Sequence, residues 1–157
     1  MKETPNRIPI ERIAVALIIG MLGFRLIYAA FSELAPDEAY YWQWSRRLAL
    51  SYFDQGPGHA YLIRLGTTLF GNTPLGIRFV GACLAAGTGW LAFLTARRWL
   101  GDRAAFLTVI LLTVAPLLLV GGIIATYDNP QIFFWTAGLY AVTVTVQNNR
   151  ESGWYIV

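Results

Sequence analysis

Residues Ile13 to Phe31 read IAVALIIGMLGFRLIYAAF, nineteen residues in which Arg25 is the one charge. At about 1.5 Å rise per residue, a helix of this length reaches across a hydrocarbon core about 30 Å thick. A basic, proline-containing leader precedes it. The run ends in Tyr28-Ala29-Ala30-Phe31 and an acidic loop, where a cleaved signal would show a shorter apolar core and small residues before the cut. The stretch therefore reads as an uncleaved membrane anchor.

Working outward, two more apolar runs are long enough to cross: Leu75 to Ala96, and Ala104 to Ala125 with Pro116 inside it, where neighbouring helices would satisfy the freed carbonyl. A fourth, shorter run from Ile132 to Val146 reaches span length if Pro130 starts its helix. The expected fold is all-α: a polytopic transmembrane bundle of about four spans (13–31, 75–96, 104–125 and 130–147), one domain over residues 1–157 with an outer loop at 32–74. Composition agrees, since 56% of the residues are apolar and only 13% charged, against about a quarter charged in ordinary soluble domains. After a short basic turn, Ser152 to Val157 leads toward another apolar segment, so the chain is expected to be a piece of a larger protein.

Basic residues in short loops stay on the cytoplasmic side. Lys2, Arg7, Arg12, Arg97, Arg98, Arg103 and Arg150 fall on one set of alternating segments, while Glu33, Asp37, Glu38, Asp54 and Asp128 gather on the other. This places the N-terminus in the cytoplasm, the carboxylates outside, and the chain in the cell inner (plasma) membrane. The net charge of +3 then describes orientation, and no basic stripe suggests nucleic acid. The single cysteine, Cys83, excludes an internal disulfide, and the single histidine, His59, excludes a two-histidine metal signature.

The outer loop is too long for a simple hairpin connection and is expected to carry structure. From Pro36, the segment Asp37-Glu38-Ala39-Tyr40-Tyr41-Trp42-Gln43-Trp44-Ser45-Arg46-Arg47-Leu48 suits a helix, with proline and acids in its first turn. Asp37, Tyr41, Trp44 and Leu48 share one face, as in an interfacial helix whose aromatics sit among headgroups. A break at Asp54-Gln55-Gly56-Pro57-Gly58 precedes a second short helix, His59 to Phe70, which ends at Gly71-Asn72-Thr73-Pro74.

Asp37-Glu38-Ala39-Tyr40-Tyr41-Trp42 directly after a first span resembles the polytopic GT-C glycosyltransferases of the protein O-mannosyltransferase and aminoarabinose transferase type. Ser51 to Gly58 resembles that family's second loop motif. Gly71 to Pro74 with Arg78 resembles the start of its second span, and Thr126-Tyr127-Asp128-Asn129-Pro130 its second acidic loop. The resemblance implies an enzyme that takes a sugar from a polyprenyl-phosphate donor at the outer face, with Asp37 as catalytic base. The chain departs from the aminoarabinose relatives at Gln55-Gly56-Pro57, where they carry a lysine and two prolines, so no lysine contact to donor phosphate is implied there.

An inverting transfer needs a carboxylate to take the acceptor proton and cationic groups to meet the departing phosphate. The candidates are Asp37 as base, Glu38 beside it, Asp54 and Asp128 as substrate-side carboxylates, and Arg64 or Arg78 for phosphate. Each has a plainer reading: helix-dipole acids at Asp37 and Glu38, turn formation at Asp54 and Asp128, anchoring at Arg78. Expected partners are membrane lipids, the lipid-linked donor, and a lipid, glycan or protein acceptor. A divalent metal stays open, as does a non-catalytic role in a transporter or assembly factor. Arg25 is expected to form an ion pair within the bundle.

Overall fold

The computed structural model describes residues 9–53 and 55–151, with side chains to 148. Asp54, the basic residues Lys2 and Arg7, the Arg150 side chain and the segment 152–157 lie outside the described residues. Among the described residues seven helices run in order: α1 (Ile10–Phe31), α2 (Pro36–Ser45), α3 (Gly58–Phe70), α4 (Pro74–Leu100), α5 (Asp102–Val114), α6 (Pro116–Gly121) and α7 (Asp128–Glu151). The described residues contain no strand, so the expected helical bundle is what the chain forms.

Among the described residues two helices, α1 and α4, are both long and apolar enough to cross a membrane. α4 is the axis, packing against α1, α3, α5 and α7. Ala14, Phe93, Ala105 and Val109 form its core with α1 and α5, while Ile63, Ile77 and Ala125 form a second core beneath α2. Large apolar side chains such as Ile19, Ile27, Leu111, Leu117, Trp135 and Leu139 point outward from the bundle. A water-facing surface seldom carries so much apolar area, whereas a hydrocarbon-facing one requires it.

Charge is layered along α4. Arg97, near its C-terminus, bridges Glu11 of α1 at 2.6 Å and Asp102 of α5 at 2.7 Å. Arg78, near its N-terminus, pairs with Glu38. Nineteen residues separate the two arginines, about 28 Å along the helix, which is close to the thickness of a hydrocarbon core.

The third expected span is not continuous. α5 stops at Val114, Ala115 is extended (φ −62°, ψ 119°), and α6 begins at Pro116. The proline ring disfavours helical geometry at the preceding residue, and here that restriction breaks the helix outright. Nor does helix continue to Ala125, because α6 ends at Gly121 and an irregular turn leads to Asp128. α7 starts there, two residues before Pro130.

α3 and α4 meet through glycine. A side chain on Gly66 would overlap the carbonyl oxygen of Gly76, and one on Gly76 would overlap that of Gly71 and press on the Thr67 Cα at 3.3 Å. Gly71 itself turns the chain at φ +73°, the region that favours glycine. Gly76→Val is therefore expected to destabilise by about 1–3 kcal/mol or more, since rigid backbone leaves nowhere for the branches. Gly20→Ala, with open space around it, serves as the control. Equal melting temperatures for the two variants in detergent would refute this account of the contact.

Candidate functional site

The site grows from the first turn of α2. Pro36 opens the helix with no donor to satisfy, and the Glu38 side chain reaches back to accept from the Ala35 N–H at 2.9 Å. Ala35 has no side-chain oxygen for the forward half of a capping box, which leaves Glu38 turned inward. There it is fully buried.

Inside, the Arg78 guanidinium meets it as a fork: Nε donates to Oε1 at 2.7 Å and Nη2 to Oε2 at 2.6 Å. Oε1 also accepts from the Ala125 backbone N–H at 2.7 Å. The remaining Arg78 donors go to the Ser32 carbonyl at 3.3 Å, the Ser32 hydroxyl, and the Glu33 carbonyl at 2.7 Å. One carboxylate and one guanidinium thus fasten the end of α1, the start of α2, the start of α4 and the turn before α7. Burial alone would push the Glu38 carboxyl up, but the hydrogen bonds from Arg78, Ala125 and Ala35 outweigh it and hold the group below the usual carboxylate range.

A carboxylate held low in the folded state contributes stability above its unfolded value, near pH 4.3, and that contribution is lost as pH falls through the lower folded value. Acid is thus expected to destabilise the native chain through this group. Glu38→Gln should start less stable and respond less to acid. Parallel melting curves of the two proteins between pH 3 and pH 7 would contradict it.

This geometry bears on two expectations. Arg78 has all five donors engaged within the protein and 3% exposure, so no donor remains for a donor phosphate. Glu38, expected beside the base, is fully buried with both oxygens engaged within the protein. Asp37, one residue earlier, is exposed at the rim, as is Asp128. The Glu38–Ala125 bond brings their segments together: Asp37 adjoins Glu38, and Asp128 lies three residues past Ala125. Tyr41, one turn after Asp37, reinforces the approach by packing edge-on against Tyr127, with ring centroids 6.4 Å apart. Arg64 is also exposed, off the buried stripe of α3 (His59, Ala60, Ile63, Gly66, Thr67). Asp54 lies outside the described residues.

The aromatic run is consumed largely by internal packing. Trp44 stacks on Tyr52 (4.7 Å, 7° between planes) and meets Tyr40 and Tyr41 edge-on. Trp42 donates from Nε1 to Asn72 Oδ1 at 3.1 Å, tying α2 to the turn between α3 and α4. α2 ends at Ser45, so Leu48 does not extend its face.

Two contributors escaped the sequence reading. The Ala125 N–H is a backbone donor with no residue-type signature. His59, which in the sequence serves only to exclude a two-histidine metal signature, is buried edge-on against Tyr41 at 5.1 Å. Neither ring nitrogen meets a hydrogen-bond partner among the described residues. Burial pushes His59 below its usual value, while the Ala125 backbone, Asp128 and Glu38 pull the other way. Among the described residues, no three His, Cys, Asp or Glu side chains are arranged to hold a metal ion.

Apolar helices of spanning length, with a buried ion pair and exposed carboxylates at one end, fit a helical membrane bundle. The chain belongs to the dolichyl-phosphate-mannose-protein mannosyltransferase family, whose model matches residues 54–157. It is 28% identical over 94% of its length to undecaprenyl phosphate-alpha-4-amino-4-deoxy-L-arabinose arabinosyl transferase 2 of Pseudomonas fluorescens. It is 26% identical over 83% of its length to a lipid A galacturonosyltransferase of Rhizobium johnstonii. The aligned regions cover 30% and 28% of those relatives. No solved structure matches the chain.

Proposed function

We propose that this chain is the membrane-embedded part of a glycosyltransferase that moves a sugar from a polyprenyl-phosphate donor to an acceptor at the extracytoplasmic face of the cell membrane. The observation that carries the reading is the bond from Glu38 to Ala125, which draws the segments of Asp37 and Asp128, 91 residues apart, to one rim. In the reaction, Asp37 removes the proton from an acceptor hydroxyl. The acceptor oxygen attacks the anomeric carbon, the carbon–oxygen bond to phosphate breaks, and the polyprenyl phosphate departs with the electron pair. Arg64, exposed and cationic, takes the phosphate role that Arg78 cannot, and Asp128 faces the substrate. The buried pair makes no contact with substrate; it holds the two acids. With the N-terminus cytoplasmic and several passes through the membrane, the rim lies outside.

The test uses the full-length protein in sealed, oriented vesicles. An impermeant thiol reagent should reach a cysteine placed at exposed Gln43 from the extracytoplasmic side and one at exposed Arg103 from the opposite side. The same vesicles should release free polyprenyl phosphate from a lipid-linked sugar when acceptor is present. Reversed labelling, or donor left intact with every acceptor class, would sink the proposal.

A further inference from the structure

Arg25 sits about two-thirds of the way along α1's apolar run at 6% exposure, and among the described residues no carboxylate pairs with it. A buried intramembrane charge is costly without partners, so what it touches is informative. Its guanidinium lies on the broken third segment. Nη2 donates to the Leu118 carbonyl of α6 at 3.5 Å, and the group presses so closely on Gly122 that a Cβ there would fall 2.6 Å from its Cζ. From the other side, Asn129 of α7 is 7% exposed and donates its amide to the carbonyls of Gly121 and Ile124.

These contacts converge on α6 and the turn that follows it. A helix leaves its last carbonyls unsatisfied and carries partial negative charge there, which a cation offsets. α6 has only six residues, too short to hold itself in place by its own hydrogen bonds. We infer that Arg25 and Asn129 form a clasp on the C-terminal end of α6 that fixes the turn carrying Ala125 and leading to Asp128, which makes Arg25 a positioning residue. Among the described residues the Arg25 Nε has no hydrogen-bond partner. It borders a cavity of about 40 Å³ shared with Thr88, Thr113 and Asn129, above the roughly 10–15 Å³ a water needs, so there is room for a water to meet the rest of the charge. Thr88 and Thr113 donate their hydroxyls to Leu84 and Val109, so each has lone pairs left for such a water.

The inference rests on the proposed reaction for its kinetic consequence but has a structural readout of its own. Spin labels at exposed Gln43 and Gln131, in a full-length Cys83→Ala background, report the distance from α2 to the start of α7. Arg25→Met should broaden or displace that distance distribution. It should also lower kcat by about 10²-fold with KM nearly constant, the size of effect expected when a reacting group is misplaced by about 1 Å. Gly122→Ala, which drives the guanidinium off without removing its charge, should reproduce both changes, and Arg25→Gln, which keeps a donor, should show less of each. An unaltered distribution in Arg25→Met and Gly122→Ala would overturn the clasp. Altered distances in a protein whose parent transfers no sugar would support the clasp and overturn the reaction.

Discussion

Arg78→Met is expected to destabilise the protein by about 3–5 kcal/mol, the cost of leaving one member of a buried ion pair without its partner. Methionine fills much of the volume, so the loss is electrostatic and not a cavity. Glu38, fully buried, would then have to stay charged in a low-dielectric site or take up a proton. Either way the Ser32 and Glu33 carbonyls lose their donor, and the end of α1 is released from α4. Adding Glu38→Met should recover part of the loss by removing the stranded charge. Recovery stays incomplete, because the Ala35 and Ala125 N–H groups then lack their acceptor. Thermal unfolding of the purified proteins in detergent should therefore rank native above the double variant and the double above Arg78→Met. A single variant as stable as native would remove the pair from its structural place.

The ranking matters because this pair was visible in the sequence only as two candidate site residues. Glu38 and Arg78 lie forty positions apart, and nothing in composition or spacing says that a carboxylate in a helix's first turn will rotate inward to meet an arginine at the start of another helix. The deciding fact is local. Pro36 starts α2 and Ala35 cannot cap it, so Glu38 reaches back to the Ala35 N–H and its carboxylate is carried under the helix. Asp37, a hundred degrees around the same turn, stays out. The sequence could place two acids at the boundary but could not say which was inside.

The helices were easier to read. Apolar length located α1 and α4, and Pro36 and the Gly56-Pro57-Gly58 break located α2 and α3, because those signals act within a turn or two of where they stand. The break in the third run shows the limit of such reasoning. Pro116 can be carried inside a spanning helix when neighbours supply the missing contacts. Here the neighbours are Arg25 and Asn129, and both contact the far end of α6, not the gap at Ala115. The chain therefore bends instead of continuing. The burial of His59 is illegible for a related reason: nothing about a lone histidine after a glycine turn says that α2 will lie over it.

Asp37→Asn should cost the full-length enzyme about 10²–10⁴ in kcat, the usual range for removing a positioned general base. The substitution keeps the shape and leaves a side-chain oxygen for the helix start, and Asp37 is exposed, so the fold should be untouched. An amide cannot accept the acceptor's proton, which is the one property lost. The neighbouring acid supplies the contrast. Glu38→Gln should weaken the protein and slow transfer only as far as the α2 start drifts from the Ala125 turn, since Glu38 is fully buried. Measured together, the two variants separate chemistry from support: Asp37→Asn with native melting and lost turnover, Glu38→Gln with lowered melting and activity that returns under stabilising conditions such as low temperature. Full turnover in Asp37→Asn would move the base elsewhere on the rim, with Asp128 next in line, because the Glu38–Ala125 bond holds its segment beside that of Asp37.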